Sequence, residues 1–373
     1  MTSTRVSRYR LLLVALLCLK AAIAHAAPDL IAVGSISGTY EDFATETAGL
    51  LENGIPGNRL GGMGSGLAYA GGNTFLALPD RGPNAKAYNS AVDDTTSYIV
   101  RFHTLSLSLA PSDAGSPLPF TLTPMLVNTT LLSSKTPLVY GTGAGVGLGS
   151  GAPALNAMDH TYYFTGRSDN FDPSKSSTNP ANARLDPEGI RVANHSRSVF
   201  ISDEYGPYVY EFDRDSGRRV RAVTLPAKFA VSRLSAVGAE EISGNTSGWV
   251  ANKGMEGLAI PPDGKQLVGI MQNALIQDGG PTVRIVTIDV VAVLGAHGIT
   301  SDKVPAKIEG LAFGQDVVIG GQVKHTLYVA NDNDYNAVFG GLDNPNAWLV
   351  FAFDDTDLPG FVPQQLRHRQ DER

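Results

Sequence analysis

Four segments of the chain repeat one plan, and that repeat restricts the fold more than any other feature. Each has a Gly-Leu or Gly-Ile opening, a short strand, a turn, a second strand and a polar cluster. They are SGLAYAGGNTFLALPDRGPN from Ser65, EGIRVANHSRSVFISDEYGP from Glu188, EGLAIPPDGKQLVGIMQN from Glu256 and EGLAFGQDVVIGGQVKHTLYVANDND from Glu309. The last three openings stand 68 and 53 residues apart, and MDHTYYFTGRSDN from Met158 reads as a degenerate copy. Repeated hairpins at this spacing predict an all-β fold, a β-propeller of about six blades with a central channel. A segment such as 30–36 is placed to pair beside 348–353 and close the ring.

Composition agrees. The 41 glycines and 22 prolines are spread along the chain, which suits strands joined by tight turns and leaves room only for brief helices, around 227–237 and 290–296. Further strands are expected at TFLAL (74–78), SVFIS (198–202), VRIVTIDV (283–290) and WLVFAF (348–353).

Residues 1–26 read as a secretory signal peptide: Arg5, Arg8 and Arg10, an apolar run over 11–19, then Ala24-His25-Ala26 at the cleavage site. The expectation is therefore a secreted or periplasmic protein with no membrane anchor after processing. Residues 27–360 would form a single domain, and 361–373 a polar, disordered tail. Cys18 is the chain's one cysteine and lies in the signal, so the mature protein has no disulfide. Removing the signal takes four positive charges and no acid, moving the formal net charge from −7 to −11. That balance disfavours nucleic acid and anionic membranes as partners and favours cations. A monomer acting on a small molecule is expected.

In each repeat the second strand returns antiparallel to the first, so the opening and the closing cluster meet at one end of the hairpin. This brings Glu188 to Asp203 and Glu204, Glu256 to Gln272 and Asn273, Glu309 to Asn331, Asp332 and Asp334, and Ser65 to Asp80 and Arg81. If the four ends converge, they make an acidic mouth. Crowded carboxylates persist there only by taking up protons or by sharing a cation. Hard oxygen donors suit Ca²⁺, with Glu188, Glu256, Glu309 and Asp332 as candidate ligands; the bland alternative is that the acids cap turns. Asp80, Arg81, Asp203 and Glu204 are the catalytic candidates: Arg81 for a substrate oxyanion, the acids for proton transfer. His325 lies seven residues before Asp332 on one strand, about 23 Å away at ~3.3 Å per residue, which places it at the far end of its hairpin.

No serine here sits in a Gly-x-Ser-x-Gly elbow, since Met63 and Leu148 stand where Ser65 and Ser150 would need the first glycine. The motifs LPDRGPNA (78–85), DPEGI (186–190), ISDEYGPYVYEFD (201–213), GMEGLAIPPDGKQLVGIMQNALIQDGG (254–280), KIEGLAFG and HTLYVANDND, in that order, resemble the phytase-like family known as "esterase-like activity of phytase". The resemblance runs from about Leu30 to Phe353 and implies an exported β-propeller that hydrolyses ester or phosphate-ester bonds. The leading expectation is a Ca²⁺-dependent hydrolase using an activated water at the channel mouth. The alternative is a non-catalytic propeller that binds a ligand or partner and holds a structural calcium.

Overall fold

The structure is a computed structural model that describes residues 28–84, 92–141, 152–156, 158–194, 197–278 and 307–366. The expected signal peptide, the strand at 283–290, the helical stretch at 290–296 and the end of the tail, 367–373, lie outside the described residues.

The chain opens with β1 (Asp29–Ile36) and then forms a four-stranded antiparallel sheet in sequence order from β2 (Gly66–Tyr69), β3 (Thr74–Leu78), β4 (Arg101–Pro111) and β5 (Phe120–Leu131). Two short strands, β6 (Ser133–Ser134) and β7 (Tyr162–Tyr163), pair with each other. A second four-stranded sheet follows, again in sequence order: β8 (Pro187–Val192), β9 (Ser198–Asp203), β10 (Tyr208–Asp213) and β11 (Arg219–Thr224). β12 (Met255–Ala259) and β13 (Val268–Met271) make the third repeat's hairpin.

In the fourth repeat β14 (Ile308–Phe313) pairs with β16 (Gln322–Asn331), after a short β15 (Val317–Ile319). The small hairpin of β17 (Val338–Phe339) and β18 (Leu342–Asp343) leads into β19 (Asn346–Phe353). β19 lies between β16 and β1, so the N-terminal strand completes the C-terminal sheet, as the positions of 30–36 and 348–353 predict. Every residue of β19 is buried, which explains its unbroken apolar run: a strand with neighbours on both edges and both faces covered has no solvent face to alternate with.

The opening strands of the four repeats touch in the order β14, β2, β8, β12. Apolar side chains fill the spaces between neighbouring sheets. One cluster joins Leu76, Leu78 and Phe102 to Ile190, Ile201 and Tyr210, and another joins Leu67, Phe75 and Leu105 to Tyr328, Trp348 and Val350.

Helix is sparse. Of the stretch 227–237 only Ala227–Phe229 turns, as a 3-10 helix, and the α-helix α1 begins later, at Gly238–Ser243. The reason is competition for backbone groups: Val231 exchanges hydrogen bonds with Ser177, and the Asn245 side chain takes the amides of Ser232 and Arg233. Among the described residues no helix is long and apolar enough to cross a membrane.

The first six residues of the expected tail, 361–366, are held against the hairpin ends opposite the acidic clusters. Phe361 packs on Phe313, Phe353 and His325. Gln364 donates to the Val192 carbonyl and to Asn194 Oδ1, and the Gln365 amide donates to the Pro262 carbonyl. Apolar contact and satisfied amides outweigh the polar composition that reads as disorder. His325 thus sits at the far end of its hairpin, where it also contacts Asp316.

Candidate metal centre at the hairpin ends

The recurring Glu-Gly pair has a local structural meaning. In all three Glu-Gly hairpins the ladder slips at the glutamate: Pro187 faces Asp203 but Ile190 faces Ile201, Met255 faces Met271 but Gly257 faces Ile270, and Ile308 faces Asn331 but Gly310 faces Ala330. A bulge of this kind inserts a residue and re-aims its side chain. The Ser65 repeat has no glutamate and pairs without a slip from Gly66–Leu78 onward.

The glycine serves close packing. A Cβ on Gly189 would lie 2.8 Å from Leu258 Cβ on the neighbouring opening strand, one on Gly66 would lie 3.2 Å from Ile190, and one on Gly310 would lie 2.8 Å from the Gly64 carbonyl. Gly189→Ala is expected to destabilise the protein by about 1–3 kcal/mol through overpacking, measured as a lower urea midpoint with unchanged slope.

These bulged ends gather the acids. Asp186, Glu188 and Glu204 bring carboxylate oxygens within 4.8 Å of one another. Asp186 and Glu204 are buried, whereas Glu188 keeps part of its surface open. Glu256 lies beside Glu204, and its charge is felt by both Glu188 and Glu309. The three Glu-Gly openings therefore meet in one region.

The electrostatic consequence is a set of carboxyls that resist ionisation. Burial, then the charges of Asp186 and Glu204, push Glu188 well up. Burial, then Asp186 and Glu256, lift Glu204 to about 9, against the pull of Arg81 and of the Gly254 amide. Burial, then Asp332, raises Glu309 to about 7, and Asp80 is driven well up by burial and then by Asp332. Groups in this condition are held neutral by protons or ionised by a cation.

Arg81 is the counter-charge on one side. Its Nη1 donates to Asp186 Oδ2 at 2.7 Å and to Asn252 Oδ1 at 2.8 Å, its backbone amide to Asp186 Oδ1 at 3.2 Å, and its Nη2 to Asn84 at 3.3 Å. The guanidinium named as a candidate for a substrate oxyanion thus clamps Asp186, while Asp80 Oδ1 accepts from the Gly82 amide at 2.8 Å. Asp203 and Glu204 diverge. Asp203 Oδ1 accepts the amides of Asp186 and Tyr205 at 3.1 and 2.9 Å, fixing the turn that carries the cluster, and burial lifts its carboxyl to about 8. Glu204 faces the cluster, with Oε1 on the Gly254 amide at 3.1 Å.

On the other side Lys307 donates to Asp332 and Asp334, at 2.5 Å to each, and Asp332 also accepts the Asp334 amide at 2.7 Å. An ammonium therefore already balances the carboxylate expected to ligate calcium. Asp186 and Lys307 hold the same place, two residues before the glutamate of their repeats; the equivalent residue in the third repeat is Gly254. Sequence reading passed over Asp186, Lys307 and Asn252. The signal that reveals the first two is their shared place, two residues before a Glu-Gly opening and at the end of the hairpin where the returning cluster arrives. Backbone strain marks the region as well: Asn252, Lys307, Asp334 and Tyr335 adopt positive φ without being glycine.

The comparisons with known proteins bear on this region. The phytase-like family model, "Esterase-like activity of phytase", matches residues 58–305, which include Asp80, Arg81, Asp186, Glu188, Asp203, Glu204 and Glu256. An uncharacterized secreted protein of Arthroderma benhamiae is 32% identical over 257 residues, covering 61% of this chain and 47% of that protein. The chain thus spans about half the length of this curated relative. No solved structure matches the chain. Because the family match takes in most of the chain and the acid-bearing repeat ends of its first three copies, this protein belongs to the phytase-like family.

Proposed function

We propose that the chain is an exported hydrolase of phosphate or carboxylic ester bonds that works with Ca²⁺ held by Asp186, Glu188 and Glu204. The observation that carries this reading is the meeting of three carboxylates within 4.8 Å, two of which, Glu188 and Glu204, are pushed toward neutrality by burial and by neighbouring charges. A donor set made only of hard oxygens, with no cysteine or histidine in it, fits a calcium ion. When bound, the ion supplies polarisation of a carbonyl or phosphoryl oxygen and acidifies a water.

The chain's own residues do the rest. Arg81 orients Asp186 and supplies its counter-charge through two contacts to its carboxylate. Glu256, part-exposed and beside Glu204, is placed to take a proton from the attacking water. Asp203 fixes Asp186 through its backbone amide. Lys307 holds Asp332 and Asp334 as an internal ion pair, so the cation demand falls on the Asp186 side.

The four sheets, touching through their opening strands, are on this reading blades of a propeller of about six blades. Purified protein lacking residues 1–26 is expected to hydrolyse a panel of phosphate monoesters, carboxylic esters or lactones, to lose the activity with chelator and to regain it with Ca²⁺. Turnover indifferent to chelation would overturn the mechanism.

A further inference from the structure

The β17–β18 hairpin carries three large apolar side chains in solvent: Val338, Phe339 and Leu342 are 57%, 77% and 75% exposed. Its turn is Gly340-Gly341, both at positive φ, which closes the two-residue loop without needing any apolar residue beside it. Val338 and Phe339 are consecutive in a strand and so face opposite sides, and both are exposed. The outermost pair, Phe339 and Leu342, is therefore apolar, and one step back Val338 stands across from Asp343, whose carboxylate is turned onto Ser37 and Gly38. A protein partner requires about 800 Å² per side, far more than a two-residue turn provides; a small apolar tip standing in solvent fits insertion into a lipid surface.

The hairpin is also preformed and fixed to the acidic site. Asn333 Nδ2 donates to the Asn344 carbonyl at 2.9 Å, and Asn344 Nδ2 returns a bond to the Asn333 carbonyl and another to that of Asn336. Asp343 accepts from Ser37 Oγ and the Gly38 amide, both at 3.1 Å, on the turn that ends in exposed Tyr40, a residue suited to the headgroup level. Chain direction sets the distance from the chemistry: the hairpin leaves the same loop that carries Asp332 and Asp334, and Tyr335 in that loop packs edge-on against Tyr98.

We propose that this hairpin anchors the protein to an uncharged, zwitterionic phospholipid surface, with the acidic mouth facing the headgroups, so that the substrates it meets there are amphiphilic esters. The acidic balance of the chain opposes an anionic surface and leaves the zwitterionic one. Only the substrate clause rests on the hydrolytic reading; the anchoring stands without it.

The test is flotation of the protein with phosphatidylcholine vesicles, comparing it with Phe339→Ser/Leu342→Ser and, as a second variant, Phe339→Trp. The expected result is co-flotation of the unmodified protein and a partition coefficient at least roughly tenfold lower in the double serine variant at equal Tm. Adding vesicles should also blue-shift the indole emission of the Phe339→Trp variant beyond any change in the unmodified protein. Turnover of a small water-soluble ester stays the same in the double variant. Absence of flotation, or equal flotation of the double variant together with an unshifted emission from Phe339→Trp, overturns the proposal, as does a hairpin-dependent dimer that ignores vesicles. Flotation without turnover on any ester rejects the hydrolytic reading and leaves the anchor standing.

Discussion

Glu188→Gln is expected to lower Ca²⁺-dependent ester turnover roughly a hundredfold or more while leaving the fold intact. Glu188 is one of the three clustered carboxylates, and its glutamine variant keeps the shape but removes a charge that a cation needs. A second readout separates this from a structural role. Without metal, Glu188 is opposed by burial and by the Asp186, Glu204, Asp80 and Glu256 charges, so the neutral amide relieves repulsion. The metal-free variant should melt no lower than the unmodified protein at pH 8, and Ca²⁺ should no longer raise its Tm. A merely structural glutamate would instead lower Tm with and without the ion.

The metal-free protein is expected to lose stability as pH rises. Folded-state values of about 7 for Glu309, about 8 for Asp203 and about 9 for Glu204 lie above those of the unfolded chain, near 4. Between those limits the folded state binds more protons than the unfolded state, so unfolding free energy falls with pH across the window from about 4 to about 9. In chelator, Tm should peak near pH 5 and drop by roughly ten degrees by pH 9, followed by circular dichroism. Calcium favours the ionised carboxylates, so it should raise Tm little at pH 5 and most at pH 9. A Tm flat with pH in chelator would mean the carboxyls are not crowded as described.

Much of the architecture was readable from spacing. The Glu-Gly openings and their returning clusters follow from hairpin geometry, and the pairing of β1 with β19 follows from two apolar terminal segments that each need an edge. The chemistry was less readable because it depends on which charges meet across repeats. Arg81 follows Asp80 in the sequence, yet it crosses to Asp186, since both lie in the loop past β3 and the touching of β2 and β8 brings that loop beside the start of β8. Asp332 reads as a calcium ligand until Lys307, on the adjacent strand's lead-in, is placed beside it. Tertiary partners also overrode local signals at Val231, held by Ser177, and at the tail, held by Phe361 and Gln364.

The central claim is that Asp186, Glu188 and Glu204 share one divalent cation, and calorimetric titration of metal-free protein with Ca²⁺ at pH 8 in two buffers of different ionisation enthalpy tests it most directly. The account predicts saturable binding, buffer-dependent heats showing net proton release, and loss of both in Glu188→Gln. Absence of saturable binding, or unaltered affinity and proton release in that variant, would contradict it.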